Sequence, residues 1–256
     1  MLVSGELLDA VLASFDPSSE TNGPSQVVAV RVNPATQASL TLKNASAADV
    51  ITLLSSGYGA RENLVKVKVE SGTVSGRRVT VQRGSDYFAE DNIGRAAFTV
   101  QYTGGAASAV MAISGTAVTL SAPTGTVVAT ISLTEFATIQ DLVDRIALVP
   151  GFTAAVSDNS YTKPSLNGLD FVTAQDVKTT SYTARADLQA IVDWLNGPKQ
   201  GFVKATRVAG AGTIPAVSAF AFLAGGSDGT TLTSDWAAAF EALQTVDVQW
   251  VTPVSG

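Results

Sequence analysis

The chain has 256 residues and a formal net charge of −6; 46% of its residues are hydrophobic, 15% are charged, and it contains neither cysteine nor histidine. That length supports one large domain or two smaller ones. The missing thiol and imidazole exclude disulfides, thiolate metal sites, cysteine nucleophiles and a Ser-His-Asp triad, and they remove the most used general base, so neither an enzyme nor a bound cofactor or metal is expected.

In chain order, Glu6 to Phe15 places Leu7, Leu8, Val11, Leu12 and Phe15 on one helical face that should pack on a sheet. A breaker-rich loop follows from Asp16 to Pro24, and then Gln26 to Asn33 forms an almost unbroken apolar run, the pattern of a strand buried on both faces. From about Thr36 the character changes to short strands divided by turns. These are Val50–Leu54, Asn63–Glu70, Gly76–Gln82, Ala97–Tyr102, Ala109–Ile113, Ala117–Ser121 and Val127–Ser132. Period-two alternation is clearest where Val65, Val67 and Val69 interleave with Lys66 and Lys68. Strands at this spacing predict a sandwich or small barrel.

Two helices interrupt them. Thr138 to Pro150 begins with a capping-box pattern at Thr138 and Asp141 and should bury Leu142, Val143, Ile146 and Val149. Ala184 to Asn196 turns Leu188, Ile191, Val192 and Leu195 inward and stops at Gly197-Pro198. At the far end come an apolar strand around Phe222, a glycine turn with Gly225, Gly226 and Gly229, a helix over Ser234–Leu243 capped by Ser234, and a β-branched return strand over Val246–Val251. Helix and strand at one end, matched by strand, helix and strand at the other, predict a mixed α+β fold. Residues 1–35 plus 208–256 would form a discontinuous α/β domain, and 36–207 an inserted β-rich domain, with a subdivision near 135.

Charge is unevenly spread. Residues 1–26 carry Glu6, Asp9, Asp16 and Glu20 without a basic residue, and 208–256 carry Asp228, Asp235, Glu241 and Asp247, again without one. Between them Arg61, Lys66, Lys68, Arg77, Arg78 and Arg83 are accompanied only by Glu62 and Glu70, which marks a candidate subunit-interface basic face for an acidic neighbour, or else a solvated strand face. The acidic total argues against a nucleic-acid partner. No apolar run reaches the ~20 residues that span a bilayer, and the first residues lack the basic start of a signal peptide, so membrane insertion is not expected.

Other patterns have plainer explanations. The Gly225–Thr230 turn lacks a phosphate-binding lysine and carries Asp228, so it is a strand-to-helix turn. Asp86 with Glu90, Asp91 and Asn92 offers hard oxygen ligands but not at EF-hand spacing. Lys163 and Lys204 lack a supporting catalytic motif, and Trp194, Trp236 and Trp250 are better explained by packing than by a sugar site.

Several ordered pieces together resemble the contractile tail sheath proteins of bacteriophages and related injection machines. They are Val28-Ala-Val-Arg-Val-Asn33 with Ala35-Thr-Gln-Ala38, the Ser56-Gly-Tyr-Gly-Ala-Arg-Glu-Asn63 loop, Tyr102–Ala109 leading to Ile113, Phe136-Ala-Thr-Ile139, Leu169-Asp170, and Leu223-Ala-Gly-Gly-Ser-Asp-Gly-Thr230. The resemblance implies a virion structural subunit that forms hexameric rings, stacked helically around a tail tube protein. It is made in the host cytoplasm and contracts to drive the tube through the host envelope. Such proteins usually have an N-terminal arm and a C-terminal domain that this sequence does not show, so it is expected to be a central fragment, monomeric by itself. An extracellular β-sandwich binding or adhesion module is the alternative expectation.

Overall fold

A computed structural model describes residues 6–15, 26–30, 32–157, 163–165, 168–198, 201–246 and 251. The elements in chain order are α1 (Glu6–Phe15), β1 (Ser39–Lys43), β2 (Asp49–Ser55), a 3-10 turn (Ala60–Leu64), β3 (Val65–Ser71), β4 (Arg77–Arg83), β5 (Asp86–Ile93), β6 (Ala96–Tyr102), β7 (Val110–Ile113), β8 (Ala117–Ser121) and β9 (Val127–Ser132). They continue with α2 (Ile139–Ala147), β10 (Phe152–Val156), β11 (Val172–Asp176), β12 (Tyr182–Arg185), α3 (Asp187–Leu195), β13 (Val203–Arg207), β14 (Ser218–Phe222) and α4 (Thr233–Leu243). The fold is mixed α+β, and all the paired strands among the described residues are antiparallel.

Two compact units divide the chain, one of residues 1–35 with 228–256 and one of residues 36–227. The larger unit holds four sheets, ordered β1-β2-β13, β14-β3-β4-β5, β10-β6-β12 and β11-β7-β8-β9. The first two close with α3 over one core, which contains Val65, Val67, Val69, Val79 and Val81, all fully buried. Burial of each valine stabilises the fold by roughly 1.5–3 kcal/mol. The other two sheets close with α2 over a second core around Phe98, Met111, Leu120 and Ile131. The chain crosses between the cores at 94–96 and again at 186–188, whereas Leu133 and Ile139, which flank the subdivision expected near 135, lie together in the second core. Thr36 N–H donates to Ser227 O at 2.8 Å, so this unit starts and finishes at one spot.

Helix α2 starts as the sequence predicts. Thr138 Oγ1 accepts from Asp141 N at 3.1 Å and Asp141 Oδ2 accepts from Thr138 N at 3.3 Å. Leu142, Val143, Ile146 and Val149 are buried, as are Leu188, Ile191, Val192 and Leu195 of α3. Helix α3 begins later than predicted, because residues 182–185 extend as β12 along β6. The acidic stretch from Asp86 lies on β5, paired with β4. The apolar strand at Phe222 is β14; it joins β3 within the larger unit rather than the terminal segments with which the sequence grouped it.

The smaller unit departs furthest from expectation. Of the strand predicted over Gln26–Asn33 and expected to be buried on both faces, Gln26–Val30 is irregular, with Val27 and Val28 exposed; no strand is described beside it that could complete its hydrogen bonding. The return strand predicted over Val246–Val251 lies outside the described residues for 247–250, as do Trp250, Arg31 and the loop at 16–25. Helix α1 has the predicted span, but Leu12 (59%) and Phe15 (48%) are exposed, and the side chains of Leu7 and Leu8 lie outside the described residues. In α4 the predicted cap Ser234 sits inside the first turn; Leu232 takes the cap position, and its N–H donates to Asp235 Oδ2 at 2.6 Å.

Candidate functional site

Strand parity decides where the six basic residues lie. On β3 and β4 the opposed pairs Lys66–Gln82, Lys68–Thr80 and Glu70–Arg78 share one register, while Val65–Arg83, Val67–Val81 and Ser71–Arg77 share the other. Successive side chains on a strand point to opposite faces. Lys66, Lys68 and Arg78 therefore occupy the outer face, Arg77 and Arg83 lie on the core side at the two ends of β4, and Arg61 is exposed on the 3-10 turn. The structure brings three of the six together.

Three of the six cations, Lys68, Arg77 and Arg83, are already engaged. Lys68 Nζ lies 2.7 Å from Glu70 Oε1, and Arg78 stands opposite Glu70. Arg77 Nε donates to Pro215 O at 2.8 Å. Arg83 NH1 lies 3.0 Å from Glu62 Oε1, and its guanidinium covers the Phe202 ring at 4.7 Å. Lys66 differs: its ammonium lies 4.6 Å from the Phe220 ring and 5.7 Å from the Phe222 ring, and it forms no ion pair with a carboxylate among the described residues. Phe220 (39%) and Phe222 (56%) are exposed on β14, and Tyr87 is exposed on β5 opposite Gln82. The outer face thus combines aromatic rings with a cation held over them, each such contact contributing about 0.5–1 kcal/mol at an exposed site. Sequence reasoning missed these aromatics, although the alternation Ala219-Phe220-Ala221-Phe222 is a visible period-two signal.

Three of the quoted sequence pieces meet at one loop cluster. Asn63 Nδ2 donates to Gly226 O and Asn63 Oδ1 accepts from Gly226 N, both at 2.8 Å. Ser55 Oγ accepts from Ala38 N at 2.9 Å, and Thr36 Oγ1 donates to Gly225 O at 2.8 Å. Gly226 is required there, since a Cβ would stand 2.6 Å from Gly59 O. Asn63→Ala removes both partners of Gly226 and is expected to lower stability by about 1–2 kcal/mol, read from the urea midpoint. Asn63→Asp keeps the bond from Gly226 N–H but sets a carboxylate oxygen against Gly226 O, so it should not recover the loss.

A polar knot spans the crossing between the cores. Asp187 Oδ1 accepts from Arg95 N at 2.8 Å and Oδ2 from Arg185 Nε at 2.7 Å, while Arg95 NH2 lies 2.8 Å from Asp193 Oδ2. The Asp170 carboxylate accepts from Asp187 N at 2.8 Å and Leu188 N at 3.1 Å, capping α3 from 17 residues away. Burial pushes the Asp170 carboxyl up and the Arg207 guanidinium down from their ordinary values. All these charges are used internally.

Within residues 86–92, Asp91 and Asn92 are structural. Asp91 accepts from Thr73 N and Oγ1, and Asn92 Oδ1 from Val74 and Ser75 N, fixing the β3–β4 hairpin tip. Among the described residues there is no cluster of three or more acidic, His or Cys side chains placed to hold a metal, and no helix is long and apolar enough to cross a membrane. Lys163 contributes its backbone carbonyl to Ile139 N, Lys204 is exposed on β13, and Trp194 packs against the first core. No protein-family model matches the chain, and no curated protein matches it.

Proposed function

We propose that this chain is a structural subunit of a phage or prophage contractile tail sheath, its two ends forming a discontinuous sheath-core domain around an inserted β-rich domain. The observation that carries the reading is the apolar surface of the smaller unit. Among its described residues only Ala239 is buried, while Leu12, Phe15, Leu232 and Phe240 are exposed. A unit that leaves this much apolar surface in water suits a protein whose neighbours cover it. The ordered sequence pieces give the neighbours an identity: further copies in hexameric rings, and a tube inside them. Contraction is then a shift between two packings of near-rigid subunits, driven by interface energy and needing no catalytic residue.

The exposed aromatics of the β14-β3-β4-β5 sheet favour a second reading, an extracellular binding module. Immunogold electron microscopy of particles from an induced lysate separates the two. An antibody against this chain should label tails along their length, with the labelled zone shortening on contraction. Label confined to cell surfaces or fibre tips would overturn the sheath reading in favour of the binding module.

A further inference from the structure

We propose that the outer face of the β14-β3-β4-β5 sheet docks the acidic end of a second copy of this chain, with α4 as the docked element and Lys66 as the anchoring cation. The inference rests on the assembling-subunit reading above, names the contact that reading leaves open, and departs from the expectation that the chain is monomeric by itself.

Charge selects the partner. Residues 1–35 with 228–256 hold eight carboxylates against the single Arg31, a formal −7, whereas 36–227 hold fourteen carboxylates and fifteen basic residues, a formal +1. Two small units facing each other repel, so the small unit of one copy against the large unit of another is the favoured orientation. On the large unit, Lys66 is the outer-face cation that stands over both Phe220 and Phe222, with no carboxylate partner among the described residues, whereas Lys68 is paired with Glu70. The rings beneath it are exposed and sit on a sheet whose other side is sealed by buried valines.

Helix α4 carries the complement. It contains Asp235 and Glu241 and no basic residue; Phe240, which precedes Glu241, is exposed, as is Leu232 at the cap position. Apolar side chains next to a carboxylate fit apolar rings beneath an unpaired ammonium: the ring contacts remove apolar surface from water, and the desolvated ion pair fixes orientation. The contact joins two different surfaces. Each copy therefore keeps one free face and one free helix, and the association propagates into a ring or filament instead of stopping at a dimer.

The test is sedimentation of the full chain over a range of concentrations at about 0.05 M and about 0.5 M salt. Species larger than dimers should grow with concentration at low salt and shrink at high salt. Lys66→Glu and Phe222→Ser should each weaken association about tenfold, with unchanged circular dichroism showing that the sheet is intact. Pairing Lys66→Glu with Glu241→Lys should restore most of the loss. A strictly monomeric protein, a closed dimer, or a Lys66→Glu defect that Glu241→Lys does not rescue overturns the docking. Tail labelling without rescue would reject this contact alone, and rescue without tail labelling would reject the sheath reading while leaving the contact standing.

Discussion

Replacing Arg83 with methionine is expected to destabilise the 36–227 unit by about 3 kcal/mol, and adding Glu62→Leu to the same chain is expected to return most of that loss. Glu62 is buried, with Oε1 accepting from Arg83 and Oε2 lacking a hydrogen-bond partner. The close approach of Gly57, whose Cβ position would lie 2.7 Å from Oε1, leaves the carboxylate little room to turn. Removing the guanidinium leaves a buried charge without compensation. Methionine keeps an unbranched stem against Phe202, which itself packs on Phe88 at 5.2 Å, so packing changes little and the loss reports the charge. Replacing both partners with apolar side chains removes the desolvation cost along with the attraction. Urea unfolding of the two single variants and the double variant measures this directly. A double variant as unstable as Arg83→Met would show that packing, not charge, was responsible.

The second large effect concerns Asp170. Asp170→Ala removes the acceptor for the first two N–H groups of α3, whose own cap position is Ala186 and offers no side-chain oxygen. The expected cost is about 2–4 kcal/mol, combining a lost cap with a lost counter-charge for Arg207. The pH dependence has a definite sign. Desolvation raises the Asp170 carboxyl first of all, Asp187 adds to the rise, and the Asp187 and Leu188 N–H groups and Arg207 offset it in part. A carboxyl raised in the folded state holds its proton more tightly there than in the unfolded chain. Its contribution to stability therefore grows as pH falls from the raised value toward the ordinary one, and is lost as pH rises. The stability gap between wild type and Asp170→Asn should widen on acidification through that window. Asp91 and Asp176 run oppositely, held low chiefly by the side chains of Thr73 and Thr179, so their contributions fade as pH falls. They are common to both proteins and cancel in the difference. A gap that narrows on acidification would refute the assignment.

These two sites show where reading the sequence succeeds and where it stops. Helix α2 was legible because its cap, its buried face and its terminator are all local. The valines of β3 and β4 were legible because alternation is intrinsic to a strand. The basic group misled because closeness in sequence was read as a shared face. Arg77 and Arg83 have the parity of Val79 and Val81, so one count by twos separates them from Lys66, Lys68 and Arg78. Strand β5 was hidden by carboxylates that stabilise a hairpin tip formed by residues 72–76, a partner the local pattern does not name. Asp170 could not be assigned at all: its partners lie on an element that begins 17 residues later, and only the closed fold brings them together. The Gln26–Val30 run failed for the converse reason, since apolar composition permits a strand but only a neighbouring strand makes one.

The meeting of Thr36 with Ser227 has a practical corollary. A polypeptide whose extremities touch can be joined head to tail, or grafted into a surface loop of an unrelated host protein, without stretching its backbone. Residues 36–227 are accordingly a cassette. Cyclising it with a short glycine linker should raise its melting temperature by restricting the unfolded chain, and a peptide displayed at the β4–β5 turn should be inserted so as to keep Gly84, whose φ of 61° lies in the left-handed region that favours glycine.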